Sequence, residues 1–237
     1  MSERLDKQVA LGTALSRKEA TALIRRGAVT VDGEAVRDPA RKVEKTAAIT
    51  VNGQAVICRR HLYILLNKPA GVLCVSHDDR EQTVVDLVPD MWRRDKLFPA
   101  GRLDRDTTGM VILTDDGDFA HRMLAPGKHV PKRYRATLSG EPTAETVALF
   151  ASGMTIDGGD VCLPAELEYD GCEATLTLHE GKFHQVKRMF EAAGLRVQTL
   201  HRLSMGGLCL DPTLAPGECR LITEREILSV FDPSFWQ

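Results

Sequence analysis

The chain has 237 residues, of which 43% are hydrophobic and 27% charged, and its formal net charge at pH 7 is −2. This composition is that of an ordinary globular protein with one large or two modest domains, and it argues against disorder. No apolar run approaches the roughly 20 residues that span a bilayer, and the charged N-terminus lacks the apolar core of a signal peptide. We therefore expect a cytoplasmic protein with no membrane partner.

The cysteines and histidines give no sign of a metal site. The six cysteines are scattered without a C-x-x-C pair, which indicates reduced thiols. Among the seven histidines only His179 and His184 are closely spaced, and their spacing is not the i, i+4 separation of ligands on one helix face. We expect no bound metal ion.

The charge is unevenly distributed along the chain. Residues 1–60 contain 12 lysines and arginines against 7 aspartates and glutamates, a net charge of +5 that leaves −7 for residues 61–237. Lysine and arginine bind phosphate backbones, so the N-terminal end is the part of the chain suited to a nucleic acid. By composition alone, a basic run of this kind more often forms a solvated surface.

Short elements are predicted in this N-terminal part. Apolar residues from Leu5 onward mark a first helix, and Ser16-Arg17-Lys18-Glu19 is a capping box that begins a second. The second helix is expected to end at Gly27, which is typical of a left-handed C-terminal cap. Residues 28–36 are β-rich with an Asp-Gly turn, and a further strand is predicted at 48–53.

These elements resemble the S4-type (alpha-L) RNA-binding domain. The resemblance lies in Arg4-Leu5-Asp6-Lys7, in the helix that begins at Ser16-Arg17, and in the segment from Ile24 to Gly33, and it covers residues 4 to about 55. In that family the second helix and the following turn lie against RNA. The resemblance implies phosphate contacts, which position RNA more than they read its sequence, for three cations: Lys18, Arg25 and Arg26.

Residues 58–62 form a short linker between two domains. They follow the S4-like domain, assigned to 1–57, and precede a brief apolar run that must be a buried strand. The second domain is assigned to 63–237. Its elements alternate too irregularly for a doubly wound sheet, so we expect an α+β fold with a mixed, largely antiparallel sheet flanked by helices. Strands are predicted near 63–66, 71–75, 110–114, 132–139, 174–179 and 218–222, and helices near 83–88, 117–124, 143–152, 184–193 and 223–230.

A polar loop in the second domain, Gly101–Gly109, places Asp104 just before the apolar run Met110–Leu113. A carboxylate held at the mouth of a strand can act as a nucleophile. Aspartate, threonine and glycine are also ordinary turn residues, so the loop alone is equally typical of a structural turn. We expect Asp106 to point away from Asp104 and to stabilise the loop together with the two threonines that follow it.

Two further segments carry side chains suited to the same chemistry. In the predicted strand Pro131–Leu138, Tyr134 lies among cations and can stack on a nucleobase, although a strand tyrosine is by default a packing residue. Residues 179–190 form a strand end that turns into a helix with an apolar face. Lys187 and Arg188 lie beside that face, so either can turn back toward the sheet and meet a carboxylate. Taken alone, both are typical of a surface.

Four segments in chain order resemble the motifs of the pseudouridine synthases, specifically the branch that modifies small-subunit ribosomal RNA and carries an N-terminal S4-type domain. Each motif is weak alone, but the four in order behind that domain are specific, and the resemblance spans nearly the whole chain. The segments are Leu66-Asn67-Lys68-Pro69-Ala70-Gly71, Gly101-Arg102-Leu103-Asp104, Lys132-Arg133-Tyr134 and Gly181-Lys182-Phe183-His184-Gln185-Val186-Lys187-Arg188-Met189.

The resemblance implies roles for individual residues. Asp104 is implied as the catalytic nucleophile, Tyr134 as the side chain that stacks on uracil, and Lys187 as the ion-pair partner of Asp104. Lysine at the last position is typical of this branch, and it makes a point-charge contact where arginine would make a planar fork. Substrate contacts are implied for four further residues: Arg102, Leu103, Lys132 and Arg188. No cofactor is implied, since the isomerisation of uridine involves no redox change.

The implied reaction converts one uridine of 16S rRNA to pseudouridine after the base has been flipped out of its stack. The implied partner is ribosomal RNA or a small-subunit assembly intermediate, bound by a monomer. Whether Asp104 attacks C1′ or C6, or promotes a glycal route, is left open. The small-subunit assignment also depends on Thr114-Asp115-Asp116-Gly117, Phe119-Ala120-His121-Arg122, Leu200-His201-Arg202 and Gly206-Gly207.

Three alternatives remain at this point. Synthases that modify 23S rRNA share much of the pattern, and a ribosome-assembly protein that binds RNA without catalysis would share the N-terminal domain. The segment Asp104-Arg105-Asp106-Thr107-Thr108 also fits the D-x-D-x-T pattern of aspartyl-phosphate phosphatases. That pattern should follow a continuous strand, whereas Pro99 and Gly101 interrupt the chain here.

Overall fold

The structure, a computed structural model, describes residues 2–13, 15–44, 46–56 and 61–236. The chain forms two compact units. The first comprises Met1–Leu62 and Val88–Leu97, and the second comprises Tyr63–Leu87 and Phe98–Gln237. Residues 58–60 of the expected linker lie outside the described residues.

The segment Val88–Leu97 departs from the domain assignment made on the sequence, which gave it to the second domain. In the structure it belongs to the first unit. The guanidinium of Arg94 donates a hydrogen bond to the carbonyl of Leu11, and Trp92 lines a small cavity together with Val51. These contacts join residues that are distant in the sequence, so no local pattern predicts them.

The first unit contains two helices and two small sheets. The four-stranded sheet is antiparallel with the strand order β3-β2-β5-β6, and β1 pairs with β4. The helices are α1 (Leu5–Gly12) and α2 (Arg17–Arg25), and the strands are β1 (Ser2–Arg4), β2 (Val29–Val31), β3 (Glu34–Ala35), β4 (Lys42–Glu44), β5 (Ile49–Val51) and β6 (Gln54–Val56).

Local sequence signals explain both ends of α2. The hydroxyl of Ser16 accepts a hydrogen bond from the Glu19 amide at 3.3 Å, and the Glu19 carboxylate accepts one from the Ser16 amide at 2.8 Å, so the predicted capping box is present. Beyond the other end, Gly27 has a φ of +79°, the left-handed conformation expected of a C-terminal cap. Apolar side chains of both helices pack on the strands to form the core of this unit: Leu5, Val9, Ala20, Ile24, Val29, Val31, Val36, Val43, Ile49 and Val51.

The second unit is built on a nine-stranded sheet. The strand order is β13-β14-β10-β15-β9-β7-β17, with β16 beside β15 and β8 beside β9. The strands are β7 (Tyr63–Lys68), β8 (Phe98–Pro99), β9 (Thr108–Thr114), β10 (Lys132–Leu138), β13 (Glu166–Asp170), β14 (Glu173–Leu178), β15 (Val197–Met205), β16 (Leu208–Cys209) and β17 (Cys219–Leu221), and a separate pair comprises β11 (Met154–Thr155) and β12 (Val161–Cys162).

Four helices complete the second unit. Strands β9 and β15 pair in parallel, whereas the other neighbouring strands of the sheet pair antiparallel. The predicted α+β fold with a mixed, largely antiparallel sheet is therefore confirmed. The helices are α3 (Gly117–Leu124), α4 (Ala144–Ser152), α5 (Gln185–Ala192) and α6 (Glu224–Ser229).

Two predicted elements do not form in the described residues. Residues 71–75 make only an isolated bridge between Leu73 and Thr83. The helix expected at 83–88 is a turn, because the amide and hydroxyl of Thr83 both donate hydrogen bonds at 2.8 Å to the carboxylate of Asp86. Threonine and aspartate compete with helical hydrogen bonding in this way.

The longest strand of the sheet, β15, was not predicted from the sequence. Its pattern of alternating apolar residues is interrupted by Arg202, which reads as a surface residue. In the structure Arg202 is only 2% exposed. Burial of a charged side chain is the kind of tertiary effect that a local pattern does not report.

Gly109 allows β9 to approach β15 closely. Its φ is +96°, and a Cβ atom at this position would lie 2.4 Å from the backbone oxygen of Arg202. Only glycine fits such an approach. The parallel pairing of Thr108 with His201 places the loop that precedes β9 next to β15 and hence near β10.

The core of the second unit lies between one face of the sheet and two helices, α3 and the C-terminal helix α6. Within the described ranges, no helix is both long enough and apolar enough to cross a membrane. The same part of the chain holds no group of three or more histidine, cysteine, aspartate or glutamate side chains arranged to bind a metal ion. The core residues are Leu65, Ala100, Met110, Ile112, Phe119, Ala120, Met123, Val130, Met205, Leu208, Ile222 and Val230.

Candidate active site

The loop that carries Asp104 is held in place by a buried lysine. Lys68, at the end of β7, is 0% exposed. Its ammonium donates hydrogen bonds to the carbonyls of Arg105 at 3.0 Å, Thr107 at 2.9 Å and Pro69 at 3.0 Å. Burial lowers the pKa of Lys68, and carbonyl oxygens supply much of what the ammonium loses in water. Lys68 therefore stabilises the Asp104 loop and does not line the cleft. This role was not predicted from the sequence.

Asp104 lies between two basic side chains of the segment that begins α5. Its Oδ2 is 3.1 Å from the ammonium of Lys187, and its Oδ1 is 3.3 Å from Nε2 of His184. The Asp104 side chain is 25% exposed, so the carboxylate is screened from bulk water but reachable. The structure thus brings together Asp104 and Lys187, as expected from the sequence.

The expectation that Asp106 points away from Asp104 is wrong. The carboxylate of Asp106 accepts a hydrogen bond from the same Lys187 ammonium at 2.6 Å. Residues two apart on a strand would share a face in any case. Here the segment is a turn, closed by the Thr107 amide donating to the Asp104 carbonyl at 3.2 Å, and the turn presents both carboxylates to α5.

Lys187 pairs with both Asp104 and Asp106. Burial lowers the pKa of Lys187, but hydrogen bonds to Asp106 and Asp104 outweigh burial and leave that pKa above its ordinary value. The hydrogen bond from Lys187 lowers the pKa of Asp106. The Lys187 ammonium is therefore shared by two aspartates, of which Asp106 is mostly exposed and Asp104 lies in the cleft.

Tyr134 projects from β10 into the same cleft. Alternate residues of β10 are buried, and Tyr134 is 8% exposed on the face that meets the Asp104 loop. The cleft has about 410 Å³ of space between its walls, part of which is open solvent. Its lining includes an apolar wall of Leu103, Leu178 and Leu200 beside the polar groups of Asp104, Lys187, Lys182 and Glu180.

His184 is a site residue that sequence reasoning considered only as a metal ligand. It adopts the left-handed conformation, with φ +50° and ψ +28°, and immediately precedes α5. The ring stacks on Phe183 with centroids 3.7 Å apart. A non-glycine residue in this conformation is uncommon, and the turn aims the imidazole at Asp104.

Thr107 contributes a hydroxyl with no internal partner. The residue is 1% exposed and lines the cleft beside Asp104 and Tyr134. Among the described residues, no group lies within hydrogen-bonding distance of its Oγ1. Buried hydroxyls are normally paired, so this one is suited to a group that enters the cleft.

The two predicted substrate contacts Lys132 and Arg188 are engaged elsewhere. The ammonium of Lys132 is buried and donates to the carbonyl of Val130 at 2.9 Å, and burial lowers its pKa to about 8. The guanidinium of Arg188 is paired with Asp157 and with Asp160, the latter at 2.9 Å. In the structure both charges are satisfied by protein groups, and contact of either residue with substrate stays a prediction.

The remaining predicted contacts are positioned to meet a ligand. Arg102 is exposed at the cleft, and Leu103 forms part of its wall. In the first unit, Lys18 and Arg25 are exposed on one face of α2, and Arg26 follows at the helix end.

An aspartate paired with a lysine thus lies beside a buried tyrosine in a cleft of the mixed sheet. The family model for RNA pseudouridylate synthase matches residues 62–192, and the S4 domain model matches residues 3–49. The chain belongs to the RNA pseudouridylate synthase family. It is therefore an isomerase that acts on RNA. The phosphatase alternative has no support in the structure, since only the two-residue strand β8 precedes the Asp104 loop.

The similarity to individual relatives extends over the full length. The chain is 43% identical to the ribosomal small subunit pseudouridine synthase A of Escherichia coli strain K12, covering 96% of this chain and 99% of the relative. It is 41% identical to the protein of the same name from Vibrio cholerae, with the same coverage. An uncharacterized RNA pseudouridine synthase of Bacillus subtilis is 44% identical over 97% of this chain and 99% of its own.

A solved structure agrees with this assignment. A crystal structure of a pseudouridylate synthase is 38% identical, with a TM-score of 0.68 and coverage of 96% of this chain and 99% of the other. The shared architecture includes both units of the chain.

Proposed function

We propose that the chain isomerises one uridine of small-subunit ribosomal RNA to pseudouridine, with Asp104 as the catalytic carboxylate. The observation that carries the proposal is the 3.1 Å contact between Asp104 and Lys187 in a cleft that also contains Tyr134. The names of the Escherichia coli and Vibrio cholerae relatives support small-subunit RNA as the substrate. The site of action is the cytoplasm, where a monomer meets the RNA or a partly assembled particle.

The reaction requires that the uridine leave its stack. The N1–C1′ bond breaks, the uracil turns, and C5 joins C1′, while C5 releases a proton and N1 gains one. None of these atoms is reachable in a stacked helix, so the nucleotide enters the cleft at a cost of a few kcal/mol. Arg102, exposed at the cleft, is positioned to hold the backbone beside the extruded nucleotide.

Each residue of the cleft has a distinct task. Lys187 holds the Asp104 carboxylate in the cleft through the ion pair at 3.1 Å. Tyr134 offers an aromatic face for the uracil to stack on as it turns. Thr107 supplies a free hydroxyl for a polar atom of the uracil edge.

His184 holds Asp104 until the substrate arrives. Both carboxylate oxygens of Asp104 are engaged in the ligand-free cleft, one by Lys187 and the other by His184. A nucleophile needs one oxygen free, and the 3.3 Å contact with His184 is the longer of the two. We therefore assign Oδ1 as the oxygen that turns to the nucleotide.

The first unit also carries cations suited to RNA. Lys18, Arg25 and Arg26 are exposed, and phosphate contacts there would position the RNA without reading its sequence. Affinity for RNA is then expected to fall as the salt concentration rises.

The experiment that tests the proposal compares substrates. The protein is incubated separately with unmodified small-subunit and large-subunit ribosomal particles, and pseudouridine is mapped chemically along each RNA. We expect one new pseudouridine in the small-subunit RNA and none in the large-subunit RNA. Modification confined to large-subunit RNA, or none in either, would contradict the proposal.

A further inference from the structure

The side chains of the cationic strand β10 alternate between the two faces of the sheet. Tyr134 lies on the face that forms the active-site cleft, whereas Arg133 and Arg135 alternate with it and lie on the opposite face. The proposed reaction uses only the first face. The two arginines line a second, larger cleft with an open volume of about 1350 Å³.

This reverse-face cleft, as we call it, combines basic and apolar groups. His201 and Leu203 of β15 lie beside the two arginines, and Leu210 and Phe235 contribute further apolar surface. Phe235 is 39% exposed, so its ring is available to a ligand. Cations next to an accessible aromatic ring are the elements from which sites for single-stranded nucleic acid are built.

The positive charge of the reverse-face cleft is poorly compensated. Among the described residues, no carboxylate lies within ion-pair distance of Arg135. Arg133 approaches only Glu168, at 3.7 Å, and that carboxylate is 79% exposed, so the pair is weak. Asp211 also lines the cleft but is paired with Arg220 at 2.6 Å.

His201 lies beside Arg135 in the reverse-face cleft. Its Nδ1 lies 2.8 Å from the hydroxyl of Thr108, and Arg135 is its partner in the adjacent strand. Burial lowers the pKa of His201, and the charge of Arg135 lowers it further. A phosphate placed between the two side chains would offset the charge of Arg135 and favour protonation of His201.

We infer that the reverse-face cleft binds a single-stranded segment of the substrate RNA, with phosphates at Arg133 and Arg135 and a base against Phe235. This inference rests on RNA being the substrate, as the family assignment states, and not on the roles proposed for Asp104 or Tyr134. RNA bound on both faces of the sheet would pass around an edge of the second unit. The contact between RNA and protein would then extend beyond the active-site cleft.

A charge-matched pair of variants tests the inference through affinity. Arg133→Gln/Arg135→Gln removes both cations, and Arg196→Gln/Arg225→Gln removes two exposed arginines that line none of the clefts described above. For an unmodified small-subunit RNA transcript, we expect the first variant to bind about tenfold more weakly. The slope of log affinity against log salt concentration should also be less steep, by roughly 1.4. The control should bind nearly as the parent does, and kcat at saturating RNA should be unchanged in both. Equal affinity of the two variants would overturn the inference.

A second measurement does not depend on substitution. An oligocytidylate of about six nucleotides contains no uridine to isomerise, and it is added to the unaltered protein while the imidazole resonances of His201 are followed by NMR. We expect these resonances to shift and the pKa of His201 to rise as a phosphate approaches. Unchanged His201 resonances at saturation would overturn the inference. Failure of the proposed function would instead appear as no pseudouridine formed in RNA by the parent protein, an outcome on which the affinity and NMR measurements do not depend.

Discussion

Replacing Thr107 by valine should affect catalysis without lowering the stability of the fold. The substitution exchanges a hydroxyl for a methyl group of similar shape. The Thr107 hydroxyl is buried and has no partner among the described residues, so the free protein loses no hydrogen bond. Thr108→Val is the matched control, because the Thr108 hydroxyl lies 2.8 Å from Nδ1 of His201.

The expected magnitudes follow from the two environments. An unsatisfied buried hydroxyl costs roughly 1–3 kcal/mol, so Thr107→Val should leave the free energy of unfolding unchanged or raise it by about 1 kcal/mol. In a domain of this size, that gain raises Tm by roughly 2–4 °C. Thr108→Val loses a made hydrogen bond and should lower the free energy of unfolding by about 1 kcal/mol. If the Thr107 hydroxyl binds uracil, its loss should lower kcat/KM about tenfold.

The assay combines thermal unfolding with pseudouridine formation on the same RNA. Thr107→Ser keeps a hydroxyl and should restore most of the activity that Thr107→Val loses. The reasoning is refuted if Thr107→Val lowers Tm as Thr108→Val does, or if it retains full kcat/KM. The first result would show that the hydroxyl has a structural partner, and the second that the substrate makes no use of it.

Three further predictions concern the scaffold. Lys68→Met leaves carbonyls of the Asp104 loop without their donor, so the free energy of unfolding should fall by roughly 3 kcal/mol and activity should be lost; an unchanged Tm would contradict the role of this lysine. Gly109→Ala should cost several kcal/mol in a denaturant titration because its Cβ would lie 2.4 Å from a backbone oxygen, whereas Gly171→Ala, with open space around it, should cost no more than about 2 kcal/mol. Burial lowers the pKa of Lys132 to about 8, so the unfolded state binds more protons than the folded state between about pH 8 and 10.5. The free energy of unfolding should therefore rise with pH across that window by as much as about 3 kcal/mol, and the rise should vanish in Lys132→Met.

The sequence predicts those features that depend on neighbouring residues. The capping box of Ser16 and Glu19 is a local motif, and it forms as expected. The alternation of β10 is likewise local, and it places Tyr134 on a buried face. Where a single residue determines the backbone, as at Gly27, the sequence is also sufficient.

Features that depend on distant contacts could not be predicted from sequence patterns. Lysine is typically a surface residue, and no residue near Lys68 in the sequence indicates that its ammonium binds the carbonyls of Arg105 and Thr107. Arg188 and Lys187 are adjacent on α5, and only the fold shows that one meets Asp157 and the other Asp104. The shared contact of Asp106 with Lys187 depends on the turn from Asp104 to Thr107, whose shape does not follow from the polar composition of the loop.

The central claim is that Asp104 is the catalytic carboxylate and that Asp106, bound to the same lysine but 74% exposed, is not. The most direct measurement is single-turnover formation of pseudouridine in unmodified small-subunit RNA by the parent protein, Asp104→Asn and Asp106→Asn. We expect a loss of roughly a thousandfold or more for Asp104→Asn and activity within about tenfold of the parent for Asp106→Asn. Substantial activity in Asp104→Asn, or equal losses in both variants, would contradict the central claim.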